Sequence, residues 1–284
     1  MSASCQTRSV NETRRSDPLG QRDPFVLVHG ACHGGWCWVR VARLLRAAGH
    51  EVFTPTLTGF GERAHLLTAD VGPATLVQDV VAVLEHEELR DVVLVGHSFG
   101  ALVALGVADR LPHRLRRLVL LDGVVVEPGE PAFSGLPFEA VEARTAAAKA
   151  SSTGLAYPPP PAAAFGLSDP DDVAWVDRLL TPQPLRSYSE PFGLRAPLGN
   201  GLPISYVCCI DPPYPLIESA HAIVRREGWE WRELATAHDA MITAPDATAA
   251  ELLRSGIDPL RDDLNIEHLY DGPHGRAQRR RDPR

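Results

Sequence analysis

The sequence predicts an α/β fold, with a mostly parallel central sheet, helices on both faces and an inserted helical cap. Short apolar runs alternate with stretches of helical periodicity between residues 25 and 123, and the alternation returns between residues 204 and 254. A strand–helix–strand order makes neighbouring strands parallel and packs helices against the sheet. The segment between the two regions is rich in Ala and Pro and lacks the alternation, which indicates an insertion.

Strands and helices are predicted to alternate from Phe25 onwards. The run from Phe25 to Val28 is apolar throughout and ends at His29, which is typical of a buried parallel strand. Apolar positions from Trp36 to Ala48 then follow a helical spacing. Further apolar runs predict strands at residues 52–54, 92–95, 118–121, 204–208 and 230–234. Periodicity and composition predict further helices at residues 76–84, 98–110, 139–150, 171–180, 217–227 and 246–254.

The same pattern divides the chain into a core, a cap and two ends. The first 23 residues are polar and have no apolar period, so we expect a disordered extension there. The last segment is charged and also lacks periodicity, which predicts a flexible tail. The predicted boundaries are residues 1–23 for the extension, 24–123 and 198–256 for the core, 124–197 for the cap and 257–284 for the tail.

Composition excludes several classes of partner. A formal net charge of −8 argues against nucleic acid, because phosphate binding needs a basic face. The sequence has no run of 18 apolar residues, so no membrane span is predicted. The polar N-terminus lacks the apolar region of a secretory signal. The five cysteines are an odd set, which favours reduced thiols over a disulfide framework. We therefore expect a cytoplasmic protein that binds a small molecule; its oligomeric state stays open, a homodimer being one alternative.

A Gly-His-Ser-Phe-Gly motif at residues 96–100 matches the pattern G-x-S-x-G. This pattern places a serine in a tight turn between a strand and a helix, where glycines remove side chains that would collide. A predicted strand precedes the motif and a predicted helix follows it. Ser98 is therefore the predicted nucleophile.

A serine hydroxyl needs a base, and the base needs a carboxylate to orient it. His238 follows the last predicted strand and precedes the last helix, where this fold places its histidine. Two carboxylates at strand ends compete for the third role. Asp211, after the strand at residues 204–208, is preferred, and Asp122, after the strand ending at Leu121, is the alternative.

Backbone N–H groups should stabilise the negative charge that develops on a carbonyl oxygen under attack. The N–H of Phe99, at the start of the helix after Ser98, is one predicted donor. The N–H of Ala31, in the loop after the first strand, is the other. His29 in the same loop is predicted to have a structural role.

Four segments of the sequence are distinctive, at residues 25–38, 48–50, 96–100 and 238–241. Together they resemble the hydroxynitrile lyase and methylesterase family of α/β-hydrolases, and residues 54–59 and 61–63 are similar to bacterial esterases of this group. The resemblance spans residues 24–255 and implies the α/β-hydrolase fold. The lyases of this family carry a threonine and a lysine where this chain has Gly30 and Asp239, and an aspartate would repel a leaving anion. The resemblance therefore implies the esterase branch. The sequence departs from the usual pattern of this family in the pair of prolines that follows Asp211.

The predicted function is hydrolysis of a carboxylic ester, or a related lactone or thioester, of a small and largely apolar substrate through an acyl-enzyme on Ser98. No metal and no organic cofactor are expected, because the Cys32, His33 and Cys37 spacing is poor for zinc and residues 59–64 only weakly match a dinucleotide motif. The alternatives are a biosynthetic cyclase or lyase on the same fold and a ligand-binding receptor. The predicted substrate-binding residues are Gly30, Cys32, Trp36, Phe133, Phe138 and Trp175.

Overall fold

A computed structural model describes residues 22–256. The predicted tail and all but the last two residues of the predicted N-terminal extension lie outside the described residues. The strands are β1 (Phe25–Val28), β2 (Val52–Phe53), β3 (Val92–His97), β4 (Leu115–Leu121), β5 (Ala156–Tyr157), β6 (Gln183–Pro184), β7 (Ile204–Cys209) and β8 (Glu230–Leu234). The helices are α1 (Val39–Ala47), α2 (Pro73–His86), α3 (Gly100–Arg110), α4 (Phe138–Ala150), α5 (Pro170–Leu179), α6 (Leu185–Ser189), α7 (Glu218–Arg226), α8 (Ala240–Thr243) and α9 (Pro245–Gly256).

Six strands form one parallel sheet in the order β2-β1-β3-β4-β7-β8. The central strands β1 and β3 are buried along their whole length, because helices cover both faces of a parallel sheet. The edge strand β8 is different: it reads Glu-Trp-Arg-Glu-Leu, and its charged residues suit an edge exposed to water. The parallel sheet confirms the predicted fold class.

Successive residues of a strand point to opposite faces of the sheet, and two apolar cores follow from this. Val26 and Val28 pack with α2, α3 and α7 on one face. Phe25 and Leu27 pack with α1 and α9 on the other. The sheet is therefore sandwiched between two helical layers, and the loops at the carboxyl ends of its strands share one edge.

The insertion between β4 and β7 contains α4, α5 and α6 together with β5 and β6. The two short strands pair antiparallel and accompany the helices of the predicted cap. Tyr157 and Tyr188 of this segment are buried against the first core. The cap therefore packs onto the sheet edge where the strands end. Among residues 22–256, no helix has the length and apolar character to cross a bilayer.

Candidate active site

Ser98 lies in the turn between β3 and α3 and has a φ of 51°, a left-handed conformation that costs energy for a residue with a side chain. Its N–H donates to the Leu121 carbonyl at 3.0 Å, and its carbonyl accepts from the Val124 N–H at 2.9 Å. These bonds to β4 and the residues that follow it hold the turn in place. The serine is thus presented at the carboxyl edge of the sheet.

The glycines of the motif are required by packing. A Cβ at Gly96 would lie 2.6 Å from the Cα of Ala101, and a Cβ at Gly100 would lie 2.6 Å from the His29 carbonyl oxygen. Both contacts are with backbone atoms, which cannot move away cheaply. Glycine at these positions is what allows β3, the turn and α3 to approach so closely.

His238 connects Ser98 to a buried carboxylate. Its Nε2 is 2.9 Å from Ser98 Oγ, and its Nδ1 is 2.6 Å from Asp122 Oδ2. Asp122 and His238 are 0% and 2% exposed. A carboxylate only accepts, so Nδ1 carries the proton and donates, and Nε2 is left to accept from the serine hydroxyl. This is the tautomer that a general base needs.

The position of Asp122 is fixed by two backbone bonds. Its other carboxylate oxygen, Oδ1, accepts from the Cys209 N–H at 2.9 Å. Its own N–H donates to the Val207 carbonyl at 2.7 Å. Both partners belong to β7, the neighbour of β4 in the sheet. The carboxylate is therefore clamped between β7 and His238.

The prediction that Asp211 contacts His238 is wrong. Asp211 is exposed, and its N–H donates to the Thr236 carbonyl at 3.1 Å. Both aspartates satisfy the chain order of serine, acid and histidine, so sequence order could not separate them. Strand order does: β4 lies directly beside β3, which places its end next to the serine turn, whereas the chain after β7 turns towards β8.

The loop after β1 approaches the same serine. A Cβ at Gly30 would lie 2.8 Å from His97 Nδ1 and 3.1 Å from Ser98 Cβ, so Gly30 packs directly against the nucleophile. His29 holds this loop: its Nδ1 donates to the Gly30 carbonyl at 2.8 Å, and its Nε2 accepts from the Leu57 N–H at 3.1 Å. Burial lowers the pKa of His29 to about 3, so the ring is neutral.

The two predicted oxyanion donors have free N–H groups. In residues 22–256, neither the Phe99 N–H nor the Ala31 N–H donates to a protein acceptor. Phe99 directly precedes α3, where unpaired N–H groups are expected. Ala31 follows Gly30, the residue in contact with Ser98. Both groups are thus available to a ligand beside Ser98.

A second buried histidine–aspartate pair lies behind the first. His33 Nε2 donates to Asp239 Oδ2 at 3.1 Å, and His33 Nδ1 donates to the Ala31 carbonyl at 2.7 Å. Because both ring nitrogens face atoms that only accept, His33 is an imidazolium. Burial alone would lower the pKa of His33, but the charge of Asp239 and these hydrogen bonds raise it above the ordinary value. Burial would likewise raise the pKa of Asp239, but His33 lowers it.

The sequence argument that Asp239 would repel a leaving anion is wrong. Asp239 is 0% exposed and its charge is paired with His33, so it is not a free charge beside a leaving group. Instead, the His33–Asp239 pair joins the loop of Ala31 to the loop of His238. His97 adds a further tie, because its Nε2 donates to the His238 carbonyl at 2.9 Å. Burial lowers the pKa of His97 to about 3, so this ring is neutral.

Aromatic rings from the cap and from the loop after β7 cover the site. Tyr214 stacks on His238 with ring centroids 3.8 Å apart. Tyr188 stacks on Phe99 at 4.9 Å, and Phe133 contacts Tyr188 at 5.4 Å. Sequence reasoning missed Tyr214, because nothing in a Pro-Pro-Tyr segment signals a contact with a distant histidine. These rings make the surroundings of Ser98 and His238 largely apolar.

The other predicted substrate-binding residues have mixed outcomes. Phe138 is 72% exposed at the start of α4, so its predicted place in the pocket is wrong. Cys32 is buried beside the oxyanion loop, and its N–H donates to Gln183 Oε1 at 2.9 Å. Trp36 stacks on His33 at 5.3 Å and Trp175 contacts Trp36 at 5.3 Å, so both rings are connected to the catalytic residues only through His33. Their role in binding stays a prediction.

The comparisons with known proteins agree with this geometry. Residues 25–251 match the alpha/beta hydrolase family, and the chain belongs to that family. It is 39% identical to a carbendazim hydrolyzing esterase of Nocardioides sp. (strain SG-4G) over 82% of this chain and 99% of that one. It is 38% identical to methylesterase 2 of Arabidopsis thaliana over 34% of this chain and 37% of that one.

A solved extracellular alpha/beta-hydrolase from a Paenibacillus species has the same fold. It superimposes with a TM-score of 0.72 at 24% identity, covering 83% of this chain and all of that chain. The family membership confirms the resemblance drawn from the sequence motifs. Within residues 22–256, no three His, Cys, Asp or Glu side chains are grouped to hold a metal ion.

Proposed function

We propose that this protein hydrolyses a carboxylic ester through an acyl-enzyme intermediate on Ser98. The observation that carries the proposal is the unbroken hydrogen-bond chain from Ser98 Oγ through His238 to Asp122. The esterase relative, which aligns over most of the chain, supports the same reaction.

In the first step, Ser98 Oγ attacks the ester carbonyl while His238 Nε2 takes its proton. The carbonyl oxygen becomes an oxyanion, and the Phe99 and Ala31 N–H groups donate to it. One such donor contributes about 3 kcal/mol to the stability of a transition state of this kind. The ester C–O bond then breaks, and the proton on His238 passes to the departing alcohol.

In the second step, a water molecule gives its proton to His238 Nε2 and attacks the acyl-enzyme carbonyl. The same donors hold the oxyanion, and collapse of this intermediate returns the proton to Ser98 and releases the acid. Asp122 keeps its negative charge throughout and stabilises the imidazolium that forms twice in each cycle.

The esterase branch is also favoured over the lyase branch by packing. The threonine that the resembling lyases carry would occupy position 30, where even a Cβ lies 2.8 Å from His97 Nδ1. The aromatic cover of Tyr188, Tyr214 and Phe133 supports a small, largely apolar substrate under the cap. Four buried free cysteines among the described residues support the proposed cytoplasmic location, and the homodimer stays a prediction.

Replacement of the nucleophile tests the proposal. With p-nitrophenyl acetate as substrate, Ser98→Ala should lower kcat by at least about 10⁴-fold, as loss of a catalytic serine does. Ser152→Ala is the matched control, because Ser152 is exposed in the cap. Circular dichroism should show that both variants are folded. Full activity in Ser98→Ala would contradict the mechanism, and a wild-type protein that binds esters without turnover would indicate a receptor instead.

A further inference from the structure

Arg144 is a cation that the proposed reaction does not use. It lies on α4 of the cap, and its guanidinium carbon is 5.8 Å from the ring centre of Tyr157 and 6.0 Å from that of Tyr188. Its Nη1 is buried and has no hydrogen-bond partner in the part of the chain that the structure describes. No carboxylate of residues 22–256 forms an ion pair with it.

The ring of Tyr188 links this guanidinium to the catalytic residues. Tyr188 stacks on Phe99, the residue next to the nucleophile. Burial raises the pKa of Cys32 and of Tyr214, and the charge of Arg144 acts against burial at both. Cys32 adjoins Ala31 of the oxyanion loop, and Tyr214 stacks on His238. The charge of Arg144 therefore acts on groups that lie next to the oxyanion loop and next to the base.

The two buried carboxylates of the site have partners other than Arg144. Asp122 is held by His238, and Asp239 is held by His33. In the part of the chain that the structure describes, the charge of Arg144 is therefore not met by an ion pair. Burying a guanidinium N–H without an acceptor costs free energy of folding. The planar guanidinium has N–H groups spaced to donate to both oxygens of a carboxylate. We propose that Arg144 is an anion subsite, and that the preferred ester substrate carries a carboxylate away from the bond that is cleaved.

This inference rests on the proposed ester hydrolysis. It is tested by comparing kcat/KM for an anionic ester with kcat/KM for its neutral analogue, because their ratio cancels general effects on turnover. Two substrate pairs cover both sides of the ester. On the alcohol side, 4-acetoxybenzoate is compared with 4-acetoxybenzamide; on the acyl side, mono-p-nitrophenyl adipate is compared with its neutral carboxamide. The measured quantity is kcat/KM for the anion divided by kcat/KM for the neutral partner.

In Arg144→Met this ratio should fall by about tenfold or more for at least one pair, the size of one charge-assisted hydrogen bond. Arg144→Lys should keep part of the preference, because it retains the charge without the fork. Arg178→Met is the matched control, since Arg178 is an exposed arginine of the same cap, and its ratios should match wild type. Unchanged ratios for both pairs in Arg144→Met would overturn the inference and leave a guanidinium that only packs on tyrosine rings.

The two proposals fail in different ways. Wild-type protein that cleaves none of the four esters would contradict the proposed hydrolysis. The anion subsite is then still tested by calorimetry, which compares binding of 4-hydroxybenzoate and 4-hydroxybenzamide to wild type and to Arg144→Met. A preference for the acid that is about tenfold or more larger in wild type supports the subsite, and equal preferences in the two proteins would contradict it.

Discussion

Replacing Asp122 with asparagine tests how the structure sets the state of the base. Oδ1 of Asp122 accepts from the Cys209 N–H, so the amide oxygen of an asparagine would stay at that position. Its NH2 group would then face His238 Nδ1, 2.6 Å away in the native structure, and would donate to it. His238 would have to accept at Nδ1 and carry its proton at Nε2. In that tautomer it cannot take the proton of Ser98.

The expected effect follows from this switch of tautomer. Asparagine at the acid position of a Ser-His-Asp site lowers kcat by about 10⁴-fold, which corresponds to about 5.5 kcal/mol of transition-state stabilisation. The assay is p-nitrophenyl acetate hydrolysis under saturating substrate. Asp211→Asn is the matched control and should change kcat by less than about threefold, because Asp211 is exposed. A large loss in Asp211→Asn together with a mild effect in Asp122→Asn would refute the reasoning.

Two further predictions concern the buried histidines. Asp239→Asn should lower the free energy of unfolding by about 3 to 5 kcal/mol, because it leaves the His33 imidazolium buried without its counterion. Urea unfolding of Asp239→Asn, His33→Gln and the double variant should reveal coupling between the sites, and strictly additive losses would contradict the ion pair. Lowering the pH from 6 to 5 should reduce the free energy of unfolding, and His29 and His97 should account for roughly 2 kcal/mol of this loss, because their pKa values of about 3 in the folded protein let them take up protons only when it unfolds. His50, whose pKa burial lowers to about 4, adds to the loss. His97→Gln should make the loss smaller by roughly 1 kcal/mol, and an unchanged slope would show that His97 already titrates in the folded state.

The sequence predicts most of the fold because its strands and helices are set by local patterns. The apolar runs and the helical spacing are readable without tertiary information, and β1 occupies the residues predicted for it. The turn at Ser98 is equally local, since the motif includes the glycines that the close approach of β3 and α3 requires. Ser98 and His238 therefore lie together as expected.

The rest of the site depends on which strands are neighbours, and chain order does not give this. Asp122 reaches His238 because β4 lies between β3 and β7 in the sheet. The pairing of His33 with Asp239 joins residues 206 positions apart, and no local pattern marks either residue. In the sequence, nothing distinguishes Arg144 from the other charges of an Ala-rich helix. Its position over the rings of Tyr157 and Tyr188 is what indicates a role in binding.

The most direct test of the central claim is to observe the covalent intermediate. Enzyme quenched in acid during turnover of p-nitrophenyl acetate and digested should give one acetylated peptide that contains Ser98. The same treatment of Ser98→Ala should give none. Release of p-nitrophenolate by the wild-type protein with no acetyl group on Ser98 at any quench time would contradict an acyl-enzyme at this serine.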